Sequence, residues 1–394
     1  MAPAFLDWRM GGQAAGYRWV VVAAVATILA IAMGQLVNGL SVFCIPLEAE
    51  FGWPRGAIAL INSLGLIGLA LGGIVMGMIA DRMPIRPVAM AGVVMVGSCV
   101  ALAAGADQLW QFHLLFLAAG FFGAALFAPL IALVGSWFPA GAGLAIGIAS
   151  AGQAVGQGGV PFATAFLIEA LGWRGAFLAL GLVSLGLMVP LAMLLRAPPR
   201  PAGGMPAATT ETPPLAPHVT VAWLSAAVLL CCTCMAVPLM HLVPLIQGLC
   251  IGASDASGVL FAMLVAAILG RVAFGKLADM IGPVPAYLVA SFWQTAAVFG
   301  FTTLGSLPHF YVFAPIYGFG YAGVMTSVLV TARVLTPARQ RAQLMGVILA
   351  FAWLGHGVGG FQGGYFFDLT GSYTVSFANA ALAGVVNLLL VGAL

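Results

Sequence analysis

The chain has 394 residues, of which 63% are hydrophobic and 6% charged, and its mean hydropathy is +1.13. A water-soluble domain carries about 25% charged residues, so this chain has too few charges to cover a water-facing surface, and the lipid bilayer must be its main solvent. The net charge of +3 comes from scattered basic residues, which excludes the basic patch expected of a nucleic-acid partner.

A helix needs about 20 apolar residues to cross the hydrocarbon core. Residues Met1 to Gly16 carry no clear cleavage pattern of a signal peptide, so the first apolar run reads as a retained helix. In chain order, spans are predicted near 17–43, 56–79, 87–105, 109–133, 143–168 and 173–195. A second set follows near 219–247, 254–277, 284–305, 308–333, 342–366 and 373–394. The breaks carry turn residues and charges, as in Asp81-Arg82-Met83-Pro84 and Thr336-Pro337-Ala338-Arg339. The expectation is an all-α membrane protein with 12 transmembrane helices in two pseudo-symmetric six-helix bundles, residues 1–195 and 219–394.

Lysine and arginine predict the orientation. With the N-terminus inside, the cytoplasmic side receives Arg9, Arg18, Arg82, Arg86, Arg196, Arg200, Lys276, Arg333, Arg339 and Arg341, and the outside receives Arg55 and Arg174. Both termini are therefore expected in the cytoplasm, in a bacterial inner membrane. The remaining cation, Arg271, falls within a span. Residues 196–218, rich in Pro, Ala and Thr and without apolar periodicity, read as a cytoplasmic linker.

The six cysteines lie mostly in apolar runs. Cys231-Cys232-x-Cys234 has no neighbouring His or carboxylate to complete a tetrahedral shell, so it reads as helix packing rather than as a metal site. No cofactor motif is present. Gly357-x-Gly359-x-x-Gln362 has no preceding strand and lies inside a span, so it is no dinucleotide fingerprint.

Two segments repeat. Gly77-Met-Ile-Ala-Asp81-Arg82 follows span two, and Gly275-Lys-Leu-Ala-Asp279-Met-Ile-Gly282 follows span eight at the matching point. Gly52-Trp53-Pro54-Arg55 echoes Gly172-Trp173-Arg174 within the first half. Such repeats mark alternating-access transporters, whose halves rock about a central site. The paired loops resemble the signature loop of the major facilitator superfamily. Further residues make the chain similar to the bacterial monocarboxylate transporter and oxalate/formate antiporter group. These are Phe51 to Arg55, Trp137-Phe138 with Gly143 to Ala149, Gly172 to Arg174, His241 to Pro244, Gly270-Arg271, and Asp368 to Tyr373. The chain departs from the pattern at Pro139 to Ala142, Met83 to Arg86 and Met280, where basic residues are usual.

A gate is expected of Gly77, Asp81, Arg82, Gly275 and Asp279. The glycines permit close helix approach, and each aspartate is placed near the start of the following helix, at its positive dipole end.

Ionisable residues inside a membrane are candidates for function because burying them costs about 2.5–3.5 kcal/mol or more. Arg271 is the first such candidate in span eight. The resemblance implies that it binds the substrate carboxylate, which a planar guanidinium holds through two parallel hydrogen bonds. His356, near the middle of span eleven, reads equally as a substrate contact, a proton carrier or a packed neutral ring. His241, between Pro238 and Pro244, is expected to contact substrate or form an outer gate. Tyr317 and Tyr321 share a helix face and present hydroxyls to a carboxylate, or simply pack. Gln35 and Asn38 in span one, and Gln153 and Gln157 in span five, either line a cavity or tie helices together.

No Asp or Glu falls in the middle of a span, and Glu169 is the deepest. The oxalate exchanger of the resembled group has a lysine in helix eleven, and this span has none, so a dianion lacks a second fixed charge. The expected function is a monomeric secondary transporter, not an enzyme. It moves a small organic anion, a monocarboxylate of the lactate, pyruvate or formate kind, by proton symport. The competing readings are an exporter of amphipathic drugs, a carboxylate exchanger and a transporter-like receptor.

Overall fold

The computed structural model describes residues 5–138, 140–198 and 216–394. Pro139 and the middle of the expected linker, including Arg200, lie outside the described residues. Among the described residues, eleven apolar helical stretches are long enough to cross a membrane, and one of them, Ala142–Met193, has 52 residues. A continuous helix of that length would run about 78 Å, more than twice a hydrocarbon core. It is in fact two helices broken at Gly172, whose φ of 69° and ψ of 171° are open to glycine and costly for other residues. The chain thus crosses twelve times, as its apolar runs predict.

We number the crossing helices α1 (Phe5–Met33), α2 (Arg55–Arg82), α3 (Ile85–Leu102), α4 (Leu109–Gly123, resuming as Ala128–Ser136), α5 (142–171) and α6 (173–193). The second bundle holds α7 (Pro217–Gln247), α8 (Ala253–Ile281), α9 (Pro283–Val298), α10 (Leu307–Leu335), α11 (Arg341–Thr370) and α12 (Thr374–Gly392). The bundles meet along two seams, α2 against α11 and α5 against α8. Large apolar side chains such as Phe162, Leu269, Phe292 and Leu389 remain exposed on the outer surfaces of these helices. In water that would be a liability, and in lipid it is the expected finish.

Glycine draws the helices together. Gly68 and Gly72 sit against α4, while Gly73 and Gly77, one residue further round α2, sit against α11. A methyl group on Gly77 would stand 2.6 Å from the Ala342 carbonyl oxygen. The four-residue spacing thus serves packing within a bundle on one side of α2 and packing between bundles on the other.

Two helices of the first bundle lose regularity halfway. Helix α1 ends in a π turn, Gly34–Asn38, followed by a 3₁₀ turn, Gly39–Phe43. Helix α4 breaks at Phe127 (φ −107°, ψ −84°), two residues before Pro129, whose ring nitrogen cannot donate. Irregular backbone at membrane depth is tolerated where it is buried in protein or lines a cavity, and both breaks border the central cavity.

Candidate functional site

Between the bundles lies a cavity of about 610 Å³. It runs from Arg271, deep in α8, to Ser257 and Met240 near the helix ends opposite the Asp81 and Asp279 loops. Of the residues expected to bind substrate, Arg271, Tyr321, His356, Asn38 and Gln157 line it, and so does Gln153.

Arg271 is 4% exposed. Its Nη1 donates to the side-chain oxygen of Gln153 at 3.4 Å, across the α5–α8 seam, and its Nε has no partner among the described residues. Among the described residues no carboxylate pairs with it. A buried guanidinium with one long bond to a neutral amide is a charge without a counter-charge. Tyr321, two turns past Ala314 on α10, faces the same space and stacks on Tyr317 with ring centroids 5.5 Å apart. His356 bonds through Nδ1 to the Ala352 carbonyl at 3.1 Å and packs beside Trp353 at 5.9 Å.

Three expected residues lie outside the cavity lining. His241 bonds to the Gly360 carbonyl at 2.9 Å and packs on Tyr373, tying α7 to α11. Its neighbour on α11 is Gly363, a position with no side chain to keep the ring at a distance. Tyr317 is fully buried beneath Tyr321, edge-on to Phe301. Gln35 turns the other way, donating to the Ser184 hydroxyl at 2.5 Å and so joining α1 to α6.

Several lining residues were not singled out by the sequence. With its amide oriented to suit its neighbours, Asn62 of α2 donates to the Leu36 and Val37 carbonyls at 3.2 Å, which the π turn of α1 leaves available. Phe127 is carried into the cavity wall by the α4 break and meets Trp353 of the other bundle with centroids 6.4 Å apart. A proline mid-span, Pro129, is the sequence signal for that break.

The two repeated loops lie at the seam ends. Asp81 accepts the backbone N–H groups of Ala342 and Gln343, at 3.0 and 2.9 Å. Asp279 accepts those of Gly143 and Leu144, at 2.7 and 2.8 Å. The sequence reading set each aspartate against the helix that follows it. The structure sets each against the first turn of a helix in the other bundle, α11 and α5 respectively. The α3 and α9 starts carry Pro84 and Pro283, and it is the seam helices that arrive with four unpaired N–H groups. Arg333 adds a third tie at this face, donating to the carbonyls of Gly135 and Phe138 at the end of α4. Gly135 leaves the room that its stem occupies. Arg82 is exposed at the same face.

Along α8, Arg271, Gly275 and Asp279 stand at four-residue steps and share the face that meets α5. Gly147 packs on the Arg271 backbone, and Gly143 on Gly275. At the far face, the echoing Gly-Trp motifs meet in one cluster. Phe51 stacks on Trp53 at 4.2 Å, Trp173 lies 5.8 Å from Phe51, and Arg174 pairs with Glu50 and Asp107 at 2.5 Å each.

The family model described as Major Facilitator Superfamily matches residues 20–360. Monocarboxylate transporter 13 of Bos taurus is 29% identical over 381 residues, covering 93% of this chain and 86% of that protein. The Rattus norvegicus protein of the same name is 29% identical over 383 residues, with the same coverage. Among solved structures, a major facilitator transporter in the outward conformation, FucP, superposes with a TM-score of 0.73 at 12% identity, covering 95% of this chain and 99% of that one. The twelve crossings, the paired seams and a match spanning most of the length lead to one assignment: the chain belongs to the major facilitator superfamily.

Proposed function

We propose that this protein carries a small monocarboxylate across a bacterial inner membrane by alternating access, with a proton as co-substrate. The observation that carries the reading is Arg271, a buried cation at the cavity wall whose only bond among the described residues is to a neutral amide. A single carboxylate supplies the missing charge and two acceptors in the plane of the guanidinium. A dianion would leave one charge over, since no second cation lines the cavity among the described residues. The named function of the relatives supports the same class.

The positive-inside reading puts the Asp81 and Asp279 loops in the cytoplasm together with both termini. In that orientation the two aspartates and Arg333 seal the inner face, and the cavity opens outward. The proton travels either on His356 or on the carboxylate itself, because no acidic side chain lines the cavity among the described residues.

Reconstitution in proteoliposomes tests the proposal. Uptake of a labelled monocarboxylate is expected to rise with an inward proton gradient, and to fall at least about tenfold in Arg271→Gln, the loss of one charge-assisted bond pair. Unchanged uptake in both Arg271→Gln and Arg271→Lys would sink the assignment of Arg271. Uptake indifferent to the gradient would remove the proton.

A further inference from the structure

The cavity is larger than a two- or three-carbon acid requires, and its walls are unlike. A three-carbon acid has about six heavy atoms, and even at the share of about 30 Å³ that a water takes in the liquid it would fill less than a third of the 610 Å³. Cavities of about 300–1,000 Å³ are the size that takes drug-sized ligands. Size alone leaves open whether water occupies the remainder, and wall chemistry decides.

The cavity's amides, among them Asn62, Gln153 and Gln157, all come from the first bundle, which adds Leu66 and Phe127 beside them, while Leu260, Leu264 and Trp353 come from the second. On α8 the apolar positions stand in line with Arg271. Leu264 is seven residues before it, about 10 Å along the axis, and Leu260 one further turn out. A carboxylate held on Arg271 therefore has an apolar strip directly above it, on the same helix face. Filling that strip with water gains nothing, whereas covering it with carbon removes apolar surface from water. The Trp353 ring lines the same cavity and meets Phe127 across the seam.

From these walls we propose that the preferred substrate is an amphipathic monocarboxylate with an aryl or branched-alkyl tail, long enough to reach Leu264 from Arg271. The tail lies on the α8 and α11 wall, and polar substituents face the amides of α2 and α5. The proposal rests on the monocarboxylate reading above and narrows it.

Equilibrium binding to the purified protein in nanodiscs tests it, with acetate, L-lactate, 3-phenylpropanoate and methyl 3-phenylpropanoate as probes. The expected result is 3-phenylpropanoate binding at least tenfold tighter than lactate, with the methyl ester weakened at least tenfold. The ratio of aryl acid to lactate affinity should collapse towards one in Trp353→Ala. Leu264→Ser should do the same, and Trp353→Phe should keep the ratio, which separates a local effect from misfolding. Lactate binding as tightly as the aryl acid, with both lost in Arg271→Gln, would overturn the tail proposal and leave the carboxylate reading standing. The ester binding as well as the acid would overturn the carboxylate reading, and this proposal with it.

Discussion

Asp81 and Asp279 make one contact twice: each carboxylate spans two successive backbone N–H groups in the first turn of a helix belonging to the opposite bundle. Neither bond needs a side chain on the receiving helix. The pair therefore ties the bundles together by backbone geometry and helix dipole alone.

Removing either carboxylate is expected to loosen the face it seals. A helix cap is worth about 0.5–2 kcal/mol, which corresponds to a shift of about two- to thirtyfold in the balance of closed and open states. Asp81→Ala and Asp279→Ala should each speed alkylation of a cysteine placed at Met345, a fully buried residue beneath the α2–α11 seam. The two changes lie on different seams, so the double variant should show the sum of the two free-energy shifts. No acceleration in the double variant would mean that the contacts do not hold this face shut.

Close approach at the seam gives a second expectation. In Gly77→Val the new side chain would meet the Ala342 carbonyl at 2.6 Å and the Gln343 Cα at 2.7 Å, both backbone atoms that cannot step aside. The α2–α11 seam should fail to close, and transport should drop by about tenfold or more, the cost of overpacking being about 1–3 kcal/mol. Gly186→Ala, on α6 with open space around it, should be neutral or slightly stabilising. Thermal unfolding of both variants checks that the first effect is one of state and not of folding.

The two stacked tyrosines should separate. The Tyr317 hydroxyl is buried without a partner among the described residues, so Tyr317→Phe removes an unmet polar group and should leave transport unchanged and stability equal or higher. Tyr321 faces the cavity beside Arg271, and Tyr321→Phe should weaken carboxylate binding by about tenfold, the worth of one hydrogen bond to a charged group. Equal losses in both variants would mean that the Tyr321 hydroxyl has no special place at the carboxylate.

Acid should also act on the ion cluster of the far face. The Trp173 indole, helped by the Arg174 guanidinium, holds the Glu50 carboxyl below the ordinary value of 4.5. A lowered carboxyl contributes stability that is fully present above its unfolded value and is lost as pH falls through the folded one. The thermal midpoint of the wild type should therefore be insensitive to this group from about pH 6 to 8 and fall below about pH 4. Glu50→Gln should show a flatter acid limb. The difference will be small, because Arg174 and Glu50 are both substantially exposed.

What the sequence made legible follows from what was unusual in it. One arginine in an apolar span, two copies of a Gly-x-x-x-Asp loop and a Gly172 between two apolar runs each stand out locally, and each marks a real feature. What stayed hidden was direction. Helices apolar all round carry no stripe that tells a cavity face from a lipid face. His241, Tyr317 and Gln35 thus read as well as Tyr321 and Asn38, although they face neighbouring helices. Asn62, Phe127 and Trp353 were hidden for the same reason. The partner of each aspartate was hidden because it lies some 136 or 261 residues away, and only the tertiary fold selects it.

Helix α8 runs unbroken from Ala253 to Ile281, with the cavity's cation and one of its seals about 12 Å apart on a single rigid rod. The proposed cycle inherits a kinetic property from that. Any turn of the rod that frees Asp279 from α5 must also drag Arg271 past Gln153. With the cavity empty, the guanidinium makes that journey as a bare charge; with a carboxylate aboard, it travels as one half of a neutral ion pair. The return of the unloaded carrier, the step that completes a symport cycle, is therefore slowed by the electrostatics of one side chain, and Arg271→Gln should speed that step even as it binds less.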